Sequence, residues 1–415
     1  MAPLFSRNAR LYLLGSVLLS ASQSAFQLLR NLYLKEAGFD EAFIGHSLSA
    51  ASFGALVGAL PTALLIARYR TRPLMVLSSI GAAASFVAMA SFLSGAGIIV
   101  SSVASGLMLT VIQVTSAPFL AANSKPAERT LLLSVNFAVR TGGGVLGSVM
   151  GGYLFRLVGA LGHDPMTSYR WAMILGTAFA VLAVGPFAIV DERPPEPAEN
   201  ALSLAVLRAR KRLYARLVIP SIPLGLGAGL TIPFLNLYFR NVFHQNGEHI
   251  GWYFALVQLT MTVGVLLGPR LARRSGLVKT IVVSELASVP FMLVLAYTSS
   301  LELAVVAFLA RGALMNMAQP LTTALTMDAV PASERALVNA IITVVNLGCW
   351  MLTASIGGVL IEAHGFVPPL WTSAVLYVVS AALYWRYFRK VDLGRSPADT
   401  TSPGEIHASA PPPPH

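Results

Sequence analysis

The sequence predicts an all-α membrane protein of twelve transmembrane helices in two parallel six-helix repeats, with both chain termini in the cytoplasm. Three observations predict it. Of 415 residues, 55% are apolar and 11% charged, and the mean hydropathy is +0.68. A soluble domain carries about 25% charged residues, so this chain lacks the polar surface to wet a globule of its size. Long apolar runs alternate with short polar breaks, each run near the ~20 residues that a bilayer-spanning helix needs. Finally, the second half of the chain repeats the first.

The runs read as spans at 11–34, 43–67, 73–93, 97–121, 131–158, 169–190, 215–239, 249–271, 277–298, 301–327, 336–361 and 368–387. With the N-terminus inside, most of the 29 Lys and Arg fall at cytoplasmic ends or loops, while Lys35, Arg156, Arg170 and Arg240 lie near the outer face. That bias is the positive-inside rule and sets the orientation. The net charge of +11 is therefore a topology signal, and no nucleic-acid-binding motif accompanies it. Arg7 and Arg10 followed by an apolar stretch and Ser20-Ala21-Ser22 imitate a signal peptide. The repeat pairs this segment with an internal helix, so it is read as a retained span.

The repeat keeps a spacing of 205 or 206 residues. Asn31-Leu32-Tyr33-Leu34 matches Asn236-Leu237-Tyr238-Phe239, and Gly45, Gly58, Gly106 and Gln113 match Gly251, Gly264, Gly312 and Gln319. Pro126-Ala127-Glu128-Arg129 recurs around Pro331 to Arg335, and Gly151-Gly152 as Gly357-Gly358. Six spans per half is an even number, so both halves enter the membrane in the same direction. The expected organisation is an N-terminal half at 1–190, a cytoplasmic linker at 191–214, a C-terminal half at 215–390 and a tail at 391–415. Prolines after Asp191 stop the sixth helix, and the cluster Arg208-Ala-Arg-Lys-Arg212 suits an anionic leaflet. The tail is rich in Pro, Ser and Thr and is expected to be disordered.

An ionised group near the bilayer centre costs roughly 2.5–3.5 kcal/mol, so those present are expected to face an aqueous cavity or a partner. Arg30, Arg140, Glu285 and Arg311 stand out. Arg311 lies about 15 Å into the tenth span at ~1.5 Å per residue, near the midplane. Arg140 precedes a glycine stripe, and Arg30 is near enough to the outer end to snorkel. Gln113 and Gln319, as repeat mates, are candidates for a shared cavity, with interhelical bonding as the plainer alternative. Asn31 and Asn236 are read as a packing pair or outer gate. Gly143, Gly147, Gly151 and Gly152, and likewise Gly264 and Gly268, form smooth stripes for close helix approach. The lone Cys349 permits no intramolecular disulfide, and the seven histidines are too scattered for a metal site. No nucleophile–base pair or nucleotide-binding loop is visible, so no cofactor and no enzymatic activity are expected.

With this repeat, the chain resembles the major facilitator superfamily over most of its length. The loop after the second span, Ala63 to Arg72, is similar to that family's basic loop motif, with Arg68 and Arg72 but without its aspartate. The copy after the eighth span is closer: Gly268-Pro269-Arg270-Leu271-Ala272-Arg273-Arg274-Ser275-Gly276, with Arg273 where the family has the acid. The resemblance implies that these loops help latch the outward-facing state, and the missing acids weaken that implication. Gly143 to Gly152 looks like the glycine pattern of the family's antiporter branch, with Ser148 where a proline is usual. The family often carries an arginine where Ser105 stands; here the charge is on the tenth span instead. In the family fold the ninth helix is peripheral, which makes Glu285 structural, a partner to a basic loop residue, or a coupling group.

The resemblance implies a secondary transporter in which the halves rock about a central site. Cavity arginines favour an organic anion. The alternatives are a proton-coupled exporter of lipophilic compounds, a lysolipid or amphiphile transporter, and a non-transporting scaffold or receptor. The expected partners are a small or amphiphilic substrate and the lipid bilayer, with no nucleic acid; the expected state is a monomer in a bacterial inner membrane.

Overall fold

The computed structural model describes residues 5–68, 70–191, 210–331 and 334–393. Most of the predicted linker, the predicted tail beyond Leu393 and the side chain of Arg68 lie outside the described residues. The described chain forms helical rods: α1 (Arg7–Glu36), α2 (Glu41–Arg68), α3 (Thr71–Ser91), α4 (Gly95–Ala122), α5 (Pro126–Ala160) and α6 (Pro165–Ala188). The second series is α7 (Lys211–Phe243), α8 (Gly247–Ser275), α9 (Leu277–Tyr297), α10 (Leu301–Asp328), α11 (Arg335–His364) and α12 (Val367–Leu393).

Local chemistry sets the boundaries. Ser6, Ser94, Asp164, Asn246 and Ser300 cap their helices by accepting a bond from a backbone N–H in the first turn. Gly276 and Gly365 take positive φ where α8 and α11 stop. Two rods are interrupted. α6 breaks at Thr177, and α7 breaks at Ile219–Pro220 and again through the short 3-10 turn Ile232–Phe234.

Ten rods are long and apolar enough to cross a membrane; α1 and α5 are not among them. These two carry the interior arginines Arg30 and Arg140.

Packing repeats with the sequence. Within the first series α1 packs on α5 and α6, α2 on α4, and α3 on α4 and α6. In the second series α7 packs on α11 and α12, α8 on α10, and α9 on α10 and α12. The same bonds recur: Tyr33 donates to the Ala90 carbonyl at 2.9 Å, and its mate Tyr238 donates to the Leu295 carbonyl at 2.7 Å. The halves meet through two crossings, α2 on α11 and α5 on α8. A Cβ on Gly45 would press on Gly358 and the Ala354 carbonyl, while one on Gly251 would press on Gly152 and the Ser148 carbonyl. The crossings are thus images of each other about a pseudo-twofold axis.

Candidate functional site between the halves

Polar contacts between the halves gather on the face away from the chain termini, here called distal. Arg240 reaches Glu36 and donates to the Leu32 carbonyl at 3.0 Å, and Asn241 donates to Glu41 at 2.8 Å. Arg156 pairs with Glu248 at 2.8 Å, and the Ala42 N–H donates to Glu362 at 3.2 Å. Beneath these, Asn31 donates to the Pro233 carbonyl at 2.7 Å and to Asn236 Oδ1 at 3.0 Å. Asn236 donates in return to the Leu28 carbonyl at 2.9 Å. The Pro233 carbonyl is offered at the 3-10 turn of α7, where it has no helical donor. On the terminal face Arg7 pairs with Asp191 and Arg210 with Glu334, each within one half.

The closure ends near mid-membrane. There Gln258 of α8 donates to Ser148 of α5 at 2.9 Å, and its Oε1 lies over Gly144. Ser24 of α1 also faces Gly144. Arg140 sits one helical turn from Gly144 toward the terminal face, on the side of α5 turned to α1 and α8. It is half-buried, and no described residue bonds or pairs with it. Tyr12 Oη and Ser16 Oγ lie close by with no bond of good geometry, and Asn136 Oδ1 is likewise unbonded while its amide donates to Ser116 at 3.3 Å. Gln27, one turn inside Asn31 on the same face of α1, is exposed. Arg140 and the Gln27 amide offer an anion unspent donors, while the Tyr12 and Ser16 hydroxyls are buried behind them and Asn136 Oδ1 only accepts.

Other predicted residues take different places. Arg30 does not snorkel: it is 5% exposed, with Nε 3.4 Å from Asn31 Oδ1 and its guanidinium 6.0 Å from the Phe26 ring, so it buttresses the distal closure. Arg311 is 3% exposed and turned into the C-terminal half, where Nη2 donates to Tyr377 at 3.2 Å. Glu285 is fully buried, and neither carboxylate oxygen meets a basic loop residue among the described contacts. Gln113 and Gln319 are both exposed, each two turns beyond the glycine (Gly106, Gly312) that packs on α2 or α8. Gly143 and Gly147 face the Val17 and Ala21 carbonyls of α1, Gly151 faces Ala25, and Gly152 faces the start of α8. Gly264 and Gly268 abut the Ala313 and Met317 carbonyls of α10. Arg72, Arg270, Arg273 and Arg274 are exposed at helix ends. Gln27 and Gln258 were not singled out in the sequence, though Gln258 is a lone amide in an apolar run and Gln27 lies one turn from both Gln23 and Asn31.

A family model described as Major Facilitator Superfamily matches residues 12–222 and again 217–412. The chain belongs to the major facilitator superfamily. As a member it is a multi-pass membrane protein and a secondary transporter rather than an enzyme. A search of curated proteins finds no match. Among solved structures, a bacterial homologue of the human lysosomal transporter Spinster, inward-facing and unoccupied, is similar with a TM-score of 0.76 at 15% identity, over 94% of this chain and 98% of that one. A D-xylose–proton symporter gives 0.75 at 14%, over 92% and 97%. The human organic anion transporter TETRAN gives 0.59 at 19%, over 92% and 100%. At these identities the likeness shows the shared fold, and this superfamily fold carries many substrates.

Proposed function

We propose that this transporter moves a small organic anion by alternating access, with Arg140 as the charge that receives it. α1 and α5 span the bilayer with the other ten rods, giving twelve spans, and the basic terminal face lies in the cytoplasm of a bacterial inner membrane. The conformation described above is then inward-open, closed at the periplasmic face by the Asn31–Asn236 and Arg240–Glu36 contacts. The protein works as a monomer.

The observation that carries the reading is the contrast between two interior arginines. Arg311 spends its charge on Tyr377 inside one half, whereas Arg140 stands half-buried and unpaired among the described residues, just below the crossing that ends the closure. A guanidinium there has lost much of its water and has gained no counterion, so a carboxylate or phosphate supplies what is missing. Gln27 from the same half adds an amide for hydroxyl or carbonyl groups of the substrate.

The test is a thermal-shift screen in detergent against organic anions, phosphorylated metabolites, lysolipids and cationic drugs. Wild type is run beside Arg140→Ala and Arg311→Ala. Stabilisation confined to anions, lost in Arg140→Ala and kept in Arg311→Ala, supports the reading. Stabilisation by cations or neutral lipophiles that survives Arg140→Ala rejects it.

A further inference from the structure

Glu285 is not used by the anion site. It lies on α9 about 12 Å from the terminal end at ~1.5 Å per residue, inside the core of the C-terminal half. It is 0% exposed, and both of its carboxylate oxygens lack a well-formed bond among the described residues. Among the described residues no cation pairs with it. On α10 the interior charge is Arg311, whose guanidinium donates to Tyr377. From α12 come Tyr384 and Ser380; α9 itself carries Lys279 in its first turn, and α8 carries charge at its ends, in Glu248 and His249 distally and in the exposed Arg270, Arg273 and Arg274 at the terminal face.

Hydrogen-bond accounting decides the rest. α12 presents Ser373, Tyr377, Ser380 and Tyr384 along one buried stripe. Ser380 Oγ donates its single proton to the Pro220 carbonyl at 2.9 Å, so toward the adjoining Glu285 it offers only lone pairs. A carboxylate would set acceptor against acceptor, with no donor to it among the described residues, whereas a carboxylic acid donates to Ser380. The Pro220 carbonyl belongs to the break in α7, and the distal end of that rod carries Asn236 and Arg240 of the closure.

We infer that Glu285 is a proton-binding site inside the C-terminal half, loaded in this conformation and emptied when α7 shifts against α12. Withdrawal of Pro220 releases the Ser380 hydroxyl, which turns its proton toward Glu285. The carboxyl O–H then breaks, its proton passes to water, and the carboxylate accepts from Ser380. Opening of the distal closure is in this way tied to loss of one proton.

The test is infrared difference spectroscopy of the full chain in liposomes, exchanged between acidic and alkaline buffer, in sodium chloride and in choline chloride. Wild type shows a protonated-carboxyl band at neutral pH that is absent from Glu285→Gln, displaced in Ser380→Ala and indifferent to sodium. The same band weakens in Asn31→Ala/Asn236→Ala, where the closure is loosened. A band equally strong in Glu285→Gln, or none in wild type at neutral pH, overturns the assignment. Loss of the band in sodium makes it a sodium site instead. An unchanged band in the double variant overturns the link to α7. Should Glu285→Gln fail to fold, Ser380→Ala decides, because only an acid bonded to Ser380 changes frequency.

Discussion

Replacing Asn31 and Asn236 together by alanine tests the closure directly. Three hydrogen bonds between the halves depend on these amides: Asn31 to the Pro233 carbonyl, Asn31 to Asn236, and Asn236 to the Leu28 carbonyl. All three are made by side chains that are 2% exposed. An interhelical polar bond in a membrane protein is worth about 0.6 kcal/mol on average, so three contribute about 1.8 kcal/mol to the closed distal face. Because every 1.4 kcal/mol is a factor of about ten, the double variant raises the distal-open population about 20-fold. The assay places a cysteine at Gln27, just inside the closure, in a Cys349→Ser background. Labelling by a membrane-impermeant maleimide supplied from the distal side then follows the open population. An increase of about 20-fold is expected. Labelling within twofold of the parent, in protein that is folded and inserted, refutes the assignment of the closure to these amides.

Two further outcomes follow from local geometry. A side chain at Gly147 would drive into the Ala21 carbonyl of α1, whereas one at Gly142 would meet nothing within 4 Å. Gly147→Val is therefore expected to lower stability by about 1–3 kcal/mol and Gly142→Val much less, read as melting temperature in detergent; equal losses argue against tight α1–α5 packing. Asp164 caps α6 by accepting from the Thr167 N–H at 3.1 Å, and its hydrogen bonds with Thr167 hold its carboxyl below the ordinary range. A depressed folded value means stabilisation that is present above the unfolded pKa and lost as pH falls through the folded one. Asp164→Ala is expected to melt lower than wild type at neutral pH, with the gap closing in acid; a gap independent of pH removes the charged cap as its cause.

Much of this architecture can be read from the sequence because it depends on composition and spacing. The 205-residue interval between Asn31 and Asn236 already makes them equivalent, and the pseudo-twofold axis then brings equivalent residues together at the centre. The glycines of α5 are similarly legible, since a stripe without side chains has little use except close approach. The interior arginines differ. Depth along the chain makes Arg311 look like the cavity charge and Arg30 like a snorkelling one. Helix rotation instead turns Arg311 onto Tyr377 and tucks Arg30 over Phe26.

What the sequence by itself determined is therefore membrane residence, the two-fold repeat and the set of polar groups that must find partners. All three follow from local hydropathy and from residue spacing. Only the tertiary structure decided which of those groups found partners and which did not. Among the described residues Arg140 and Glu285 are left without a charged partner because of the neighbours brought to them by helices distant in the chain, and no local signal records those neighbours.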